Sequence, residues 1–219
     1  MQSWLTSFFT PRLNGALTRS APLDSLRYVV VDTELTSLDR RTNRLLSVGA
    51  IAMEGSKIRL NEQFYRVVNP SVEIPAETIV VHGLRPIDIE QGSSPEEVLQ
   101  SFDEFIRDAV LVGHFASIDK DVLRKEFRSI GMKLANPVID TASAYHWLEL
   151  HQARLRGLDE AGTERDLYSI AKRYSLDVIQ AHHALSDGFL TAQLWQRLLV
   201  DLESSGVRTL GAILRFARS

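Results

Sequence analysis

The stretch YVVVDTELTSL, residues 28–38, carries the strongest structural signal in the chain. Its β-branched valines have no polar face, which is typical of a strand buried on both sides of a sheet. Two carboxylates, Asp32 and Glu34, follow at the end of this run. Because side chains two residues apart lie on one face of a strand, the sequence predicts that both acids project into a cleft at the strand's carboxyl end. This arrangement suits a hard divalent cation.

The pair alone has a second interpretation, a solvated strand end, because so short a triplet also recurs by chance. Further acids follow in two similar contexts, each in the first turn or two of a predicted helix. Asp119 comes shortly after Gly113-His114, and Asp187 comes shortly after the pair His182-His183. These recurrences favour a functional cluster over an isolated strand end.

The composition is that of a globular protein of 219 residues, 44% hydrophobic and 24% charged, which predicts one domain. The chain has no cysteine, so any metal would be held by oxygen or imidazole ligands. The absence of cysteine is also consistent with a reducing compartment. Its apolar runs are short and its start lacks a signal-peptide pattern, so we expect a cytoplasmic protein with no membrane contact. The formal net charge of -3 argues against a general polyanion binder, but acids gathered around metals can produce the same total.

Five apolar segments predict an α/β fold with a mixed five-stranded sheet, flanked by helices. The first strand is followed by apolar segments at residues 45–53 and 57–68, joined by short turns, which indicates an antiparallel meander at the front of the sheet. Two brief strands at 110–112 and 137–140 alternate with helices, which is the α/β pattern. In the rest of the chain, the residue pattern predicts mostly loop over 69–92 and helices elsewhere.

The predicted helices include one that opens with the capping box Ser94-Pro95-Glu96-Glu97. A helix is predicted over 141–150, an exposed loop over 154–165 and a long amphipathic helix after His183. We divide the chain into an N-terminal extension (1–26), a main domain (27–202) and a C-terminal helix packed on the domain (203–219). The extension has apolar residues at helical spacing, which suit packing on the domain surface or a contact with a partner or second copy.

Three arginines, Arg40, Arg41 and Arg44, lie near the first turn. They allow contact with a phosphate backbone, but such a run of charge is more commonly a solvated surface.

Three motifs, VVVDTELTSL, VGHFASIDKDVL and AHHALSDGFLTA, together resemble the DnaQ-like exonucleases of the DEDD superfamily. The spacing of His182 and Asp187 resembles its histidine branch, which includes bacterial proofreading subunits. The resemblance extends over about residues 27–199 and includes the connecting phrases VHGL and VIDT. It implies that the mixed sheet has a ribonuclease H-like arrangement.

The resemblance implies that Asp32, Glu34, Asp119 and Asp187 hold two Mg²⁺ or Mn²⁺ ions and that His182 deprotonates the attacking water. Phosphodiester hydrolysis requires an activated water and neutralised charge on the attacking and leaving oxygens, and two metal ions supply both. Four crowded carboxylates would repel one another without cations. Histidine, which ordinarily titrates near neutral pH, suits the role of base.

The motifs depart from the family pattern at positions next to the acids. The first motif commonly reads D-T-E-T-T-G-L, and here Leu35 and Ser37 replace a threonine and the glycine. The second motif has Phe115 in place of asparagine and Ile118 in place of an aromatic residue. The acids are retained, so the departures concern contacts with the substrate. We expect four residues to contact it: Thr33, Leu35, His82 and Phe115.

Two further histidines require interpretation. His183 is a rival for the base, because it would share a helix face with Asp187 at i+4 if the helix began early. The family spacing favours His182. His114 more commonly has a structural role, such as hydrogen bonding to a loop backbone.

We therefore expect a metal-dependent 3′–5′ exonuclease that releases nucleoside monophosphates from single-stranded DNA by a two-metal mechanism, either free-standing or as a proofreading factor. Its main partner would be the 3′ end of a single strand, DNA in preference to RNA. The alternatives are an exoribonuclease that trims RNA and a noncatalytic nucleic-acid-binding module. A homodimer or a polymerase partner is compatible with the sequence.

Overall fold

A computed structural model describes residues 17–72, 74, 83–158, 162–179 and 181–219. The five strands are β1 (Arg27–Leu35), β2 (Leu45–Glu54), β3 (Lys57–Val67), β4 (Val110–Gly113) and β5 (Val138–Asp140). They form one sheet in the order β3-β2-β1-β4-β5. The pairs β1/β2 and β2/β3 are antiparallel, whereas β1/β4 and β4/β5 are parallel. The predicted mixed sheet with an antiparallel front meander is confirmed.

The described helices are α1 (Pro86–Glu90), α2 (Pro95–Ile106), α3 (Ser117–Ser129), α4 (Thr141–Leu155), α5 (Leu167–Arg173), α6 (Ala184–Ser204) and α7 (Leu210–Ile213). The capping box predicted for α2 is present. The Ser94 hydroxyl accepts the Glu97 N–H at 3.3 Å, and the Glu97 carboxylate accepts the Ser94 N–H at 3.2 Å. These two bonds satisfy amide groups that the first turn of a helix leaves unpaired.

The two faces of the sheet carry separate hydrophobic cores, which explains why β1 has no polar face. Val29 and Val31 pack towards α2 and α3, while Tyr28 and Val30 pack towards α4, α5 and α6. All four side chains are buried. Burying one such valine contributes about 1.5–3 kcal/mol relative to leaving it exposed. The central strand is thus held from both sides, and its carboxyl end is fixed in position.

Gly49 of β2 allows α6 to lie directly on the sheet. It is paired with Asp32 of β1, and a Cβ atom built on it would lie 2.2 Å from the backbone of Ala184 and Leu185. A side chain at this position would therefore displace the start of α6. The close approach brings the first turn of α6, with Asp187, to the end of β1.

Two helix predictions differ from the structure. Helix α4 continues to Leu155, five residues beyond its predicted end. In place of one helix over 203–219, α6 ends at Ser204, Gly206 adopts φ 85° and only the short α7 follows. The tail then pairs with β5 through a bridge between Arg218 and Ile139. These backbone interactions with the sheet override the helical pattern of the tail.

The start of the described chain runs along the domain. Leu23 and Leu26 are buried in the core beside α6, and the Tyr28 hydroxyl donates to the Leu23 carbonyl at 2.7 Å. Residues 1–16, with their apolar pattern, lie outside the described residues. The division into an extension, a domain and a C-terminal segment stays a prediction. Among the described helices, none has the length and apolar character that a membrane span requires.

Candidate active site

Three carboxylates meet at the carboxyl end of β1. Asp32 and Glu34 come from the strand and Asp187 from the first turn of α6, with one ligand oxygen of each within 4.8 Å of the others. Asp119, in the first turn of α3, lies beside this group and is not one of its three members. Its Oδ1 accepts a hydrogen bond from the Thr33 hydroxyl at 2.6 Å. The hydroxyl of Thr33, a predicted substrate contact, thus holds Asp119 against the strand.

Burial and mutual repulsion raise the pKa of these acids. The pKa of Glu34 is raised to about 7, first by burial and then by the charges of Asp187 and Asp119. Burial raises the pKa of Asp119 to about 6, although the hydrogen bond from Thr33 opposes the change. Burial and the neighbouring acids also raise the pKa of Asp32, and burial raises that of Asp187. Such a cluster is costly as an ionised group unless a cation is present.

We expect the metal-free protein to lose stability as the pH rises from about 4.5 to about 7. In this range the unfolded chain releases protons that the folded Glu34 and Asp119, with their raised pKa values, still hold. The contribution of Glu34 and Asp119 to this loss should be complete once the pH has passed about 7. Urea unfolding at pH 5 to 8 in chelator measures this loss, and saturating Mn²⁺ should reduce it. A Glu34→Gln variant should show a shallower decline, and identical curves for both proteins would contradict the assignment.

The donor set fits a hard divalent cation. Both carboxylates of β1 and that of Asp187 offer oxygen ligands, which Mg²⁺ and Mn²⁺ prefer. The Oδ1 atom of Asp187 is buried and has no hydrogen-bond partner among the described residues. A buried carboxylate oxygen without a partner is unfavourable, and a metal ligand bond would satisfy it.

The backbone of His182 is fixed beside Asp187. His182 adopts a left-handed conformation with φ 58°, which is uncommon for a residue with a side chain. Its N–H lies 2.9 Å from Asp187 Oδ2 and 3.1 Å from the Tyr168 hydroxyl. These bonds place the predicted base next to the carboxylate cluster.

His183 has a different environment. Its Nδ1 accepts the N–H of Ser186 at 3.4 Å and caps the first turn of α6. Its ring is stacked on Tyr65 with a centroid separation of 4.8 Å. These contacts give His183 a structural role at the start of the helix.

Tyr168 of α5 was missed in the sequence analysis. Its hydroxyl donates to Asp187 Oδ2 at 2.9 Å and lies 3.5 Å from His182 Nδ1. Burial raises the pKa of Tyr168, so the hydroxyl keeps its proton and remains a donor. No sequence spacing links α5 to the start of α6, so only the three-dimensional packing reveals this contact.

The other predicted substrate residues have contrasting environments. Phe115 is 42% exposed with φ 52°, and its ring lies edge-on to His114 at 4.8 Å. The Leu35 side chain is packed in the core on the α2 and α3 side, so only its backbone remains available to a substrate. His82 lies outside the described residues.

His114 contacts Thr141 Oγ1 at 2.9 Å and the Arg165 carbonyl at 2.7 Å, which is the kind of structural role expected for it.

The chain belongs to the exonuclease family, which it matches over residues 29–195. It is 32% identical over 90% of its length to a DNA polymerase III subunit epsilon-like protein of Rhodobacter capsulatus, of which it spans only 27%. It is also 30% identical to the DNA polymerase III subunit epsilon of Aquifex aeolicus, with 80% of this chain and 81% of that protein covered. These relatives support the DnaQ-like resemblance.

Two solved structures have the same fold. E. coli exonuclease I in complex with a dT13 oligonucleotide superposes with a TM-score of 0.70 at 13% identity, covering 82% of this chain and 42% of that one. The nuclease domain of 3′hExo, a DEDDh family member bound to rAMP, gives 0.66 at 13% identity, covering 81% and 93%. The ribonuclease H-like arrangement of the sheet is thereby confirmed.

Proposed function

We propose that this protein is a metal-dependent 3′–5′ exonuclease that releases nucleoside monophosphates from single-stranded DNA. The observation that carries the proposal is the convergence of Asp32, Glu34 and Asp187 at the end of β1, with His182 held beside them. Membership of the exonuclease family supports the same activity. The raised pKa of the acids speaks against a noncatalytic binding module, because a module without metals would gain nothing from the cluster.

The four acids would hold two Mg²⁺ or Mn²⁺ ions, with Asp119 oriented by Thr33. Such ions, when bound, lower the pKa of water and neutralise charge on the attacking and leaving oxygens. His182 would accept the proton of the attacking water as general base. Its backbone bonds to Asp187 and Tyr168 fix the position of the residue from which the imidazole extends, beside the acids.

DNA is the favoured substrate because the relatives are named for DNA polymerase III. A complex of a structural neighbour with rAMP keeps RNA as the second candidate. The exposed ring of Phe115 would stack on a base near the 3′ end. Thr33, the backbone of Leu35 and His82 are the other contacts that we propose for the substrate. A cytoplasmic location and a polymerase partner or second copy of the chain fit this function.

The decisive experiment uses 5′-labelled single strands of DNA and RNA with matched sequences. The purified protein should shorten the DNA stepwise from its 3′ end with Mg²⁺ or Mn²⁺, and chelator should stop the reaction. An Asp32→Asn variant controls for contaminating nucleases. Faster shortening of RNA would select the exoribonuclease. If neither polymer is shortened with both metals supplied, the enzymatic proposal is wrong.

A further inference from the structure

Four basic residues from three separate segments surround one face of α3. Lys120 and Arg124 are one helical turn apart and share that face. Arg40, from the loop between β1 and β2, reaches the same helix, with its Nη1 atom 2.7 Å from Asp121 Oδ2. Arg218 comes from the C-terminal tail. We call these four residues the α3 basic surface.

The contacts of Arg40 and Arg218 fix this arrangement. Arg40 Nη2 also donates to the Ser117 hydroxyl at the start of α3, at 3.3 Å. Arg218 lies at the edge of β5 because its backbone is paired with Ile139. Of the other arginines in the loop, Arg44 has another role, because its Nε forms a 2.7 Å ion pair with the buried Glu126. The loop thus contributes Arg40 to the surface and uses Arg44 for packing.

The positive charges lie close enough to affect one another. The pKa of Lys120 is lowered, first by burial and then by the charges of Arg124, Arg218 and Arg40. Asp121 opposes this effect, but its carboxylate is already paired with Arg40. The four positive charges form a local concentration in a protein whose formal net charge is -3. Such a concentration is unfavourable by itself and is stabilised by a bound polyanion.

The surface is adjacent to the carboxylate cluster. Lys120 directly follows Asp119, whose carboxylate faces β1. Arg124 lies four residues after Lys120, about 6 Å further along the helix axis, so the two charges lie in line on the helix surface. A chain whose 3′ end occupied the cleft would bring its next phosphates within reach of these residues.

We propose that the α3 basic surface binds the phosphodiester backbone of the nucleic acid whose 3′ end occupies the carboxylate cleft. The inference rests on the proposed function, since that function places the 3′ end beside Asp119. Contacts to phosphates carry no base information, so binding here is independent of sequence and strongly dependent on salt. The surface holds the polymer while successive terminal nucleotides are removed.

The test compares Lys120→Gln/Arg124→Gln with the matched double variant Lys57→Gln/Arg197→Gln. Lys57 and Arg197 lie at the opposite end of the sheet, near the turn between β2 and β3, where Gln196 contacts Ser56. Binding of a labelled single strand is measured in chelator by fluorescence anisotropy across a salt titration. Loss of two phosphate contacts should reduce the slope of log Kd against log salt concentration by about 1.4. It should also weaken binding by about tenfold. The control should match the wild type.

Two further readouts separate this proposal from the proposed function. The ratio of kcat/KM for the oligonucleotide to kcat/KM for the p-nitrophenyl ester of thymidine 5′-monophosphate should fall about tenfold in the test variant. If wild-type protein hydrolyses neither substrate, the proposed function fails, while the anisotropy data still test the surface.

An unchanged salt slope in the test variant would overturn the proposal, as would an equal loss in the control. If the double variant has a lowered melting temperature, Arg218→Gln replaces it, because this side chain lies in the tail and is exposed. That variant should flatten the slope by about 0.7 for a single strand. An unchanged slope in this variant as well would exclude a phosphate-binding role for the surface.

Discussion

An Asp187→Asn variant is expected to lose turnover by at least about 10³-fold and to lose most of its stabilisation by Mn²⁺. Asp187 Oδ2 already accepts hydrogen bonds from Tyr168 and the His182 N–H, whereas Oδ1 is left without a partner among the described residues. Asparagine keeps an oxygen acceptor for the first two bonds but removes the negative charge. The metal-free variant should therefore melt at a higher temperature than the wild type, because the charge repulsion decreases.

Asp201 provides a matched control on the same helix. Its Oδ2 accepts a hydrogen bond from the Tyr174 hydroxyl at 2.6 Å, and it lies about 21 Å further along α6 than Asp187. Asp201→Asn should lower the melting temperature equally with chelator and with metal, because its role is structural. Melting curves across a Mn²⁺ titration measure both variants. An unchanged metal response in Asp187→Asn would remove Asp187 from the metal site.

His182→Ala is expected to lower kcat by about 10²-fold or more, the usual cost of losing a general base. His183→Ala should change kcat little. It should lower the free energy of unfolding by about 1 kcal/mol, because it removes the side chain that caps the Ser186 N–H. The stacking contact with Tyr65 is lost in the same variant. The two histidines, adjacent in sequence, should thus affect different properties of the protein.

Steady-state kinetics at saturating metal and urea unfolding of each variant measure these two effects. If His183→Ala had the larger effect on kcat, the third motif would be misaligned by one residue. The structural role assigned to the cap would then be wrong as well.

The sheet and the first acid pair were predictable because their signals are local. An unbroken valine run requires two covered faces, and the structure covers both. The capping box of α2 was predictable because Ser94 and Glu97 satisfy each other's backbone within one turn. The motifs indicated which acids belong to the cluster and in which order they occur along the chain. The fold, and not the motifs, brings their side chains close together.

The features that escaped prediction depend on contacts between distant segments. Tyr168 meets Asp187 only because α5 packs against the start of α6, and α5 shows no unusual pattern of its own. His182 adopts a left-handed backbone conformation that is uncommon for residues with a side chain, and its N–H is held by Tyr168 and Asp187. The C-terminal tail leaves its helical pattern because β5 offers a bridge to Arg218. The secondary-structure propensities of single residues contain no information about these interactions.

The contact between Gly49 and α6 affects how inactive relatives can be recognised. A methyl group at position 49 would overlap the backbone of Ala184 and Leu185 and push Asp187 away from Asp32. A homologue could then retain all four acids and the histidine and still be unable to assemble its metal site. Counting the motif residues is therefore insufficient to classify a sequence as an active nuclease, and the residue aligned with Gly49 should be inspected as well.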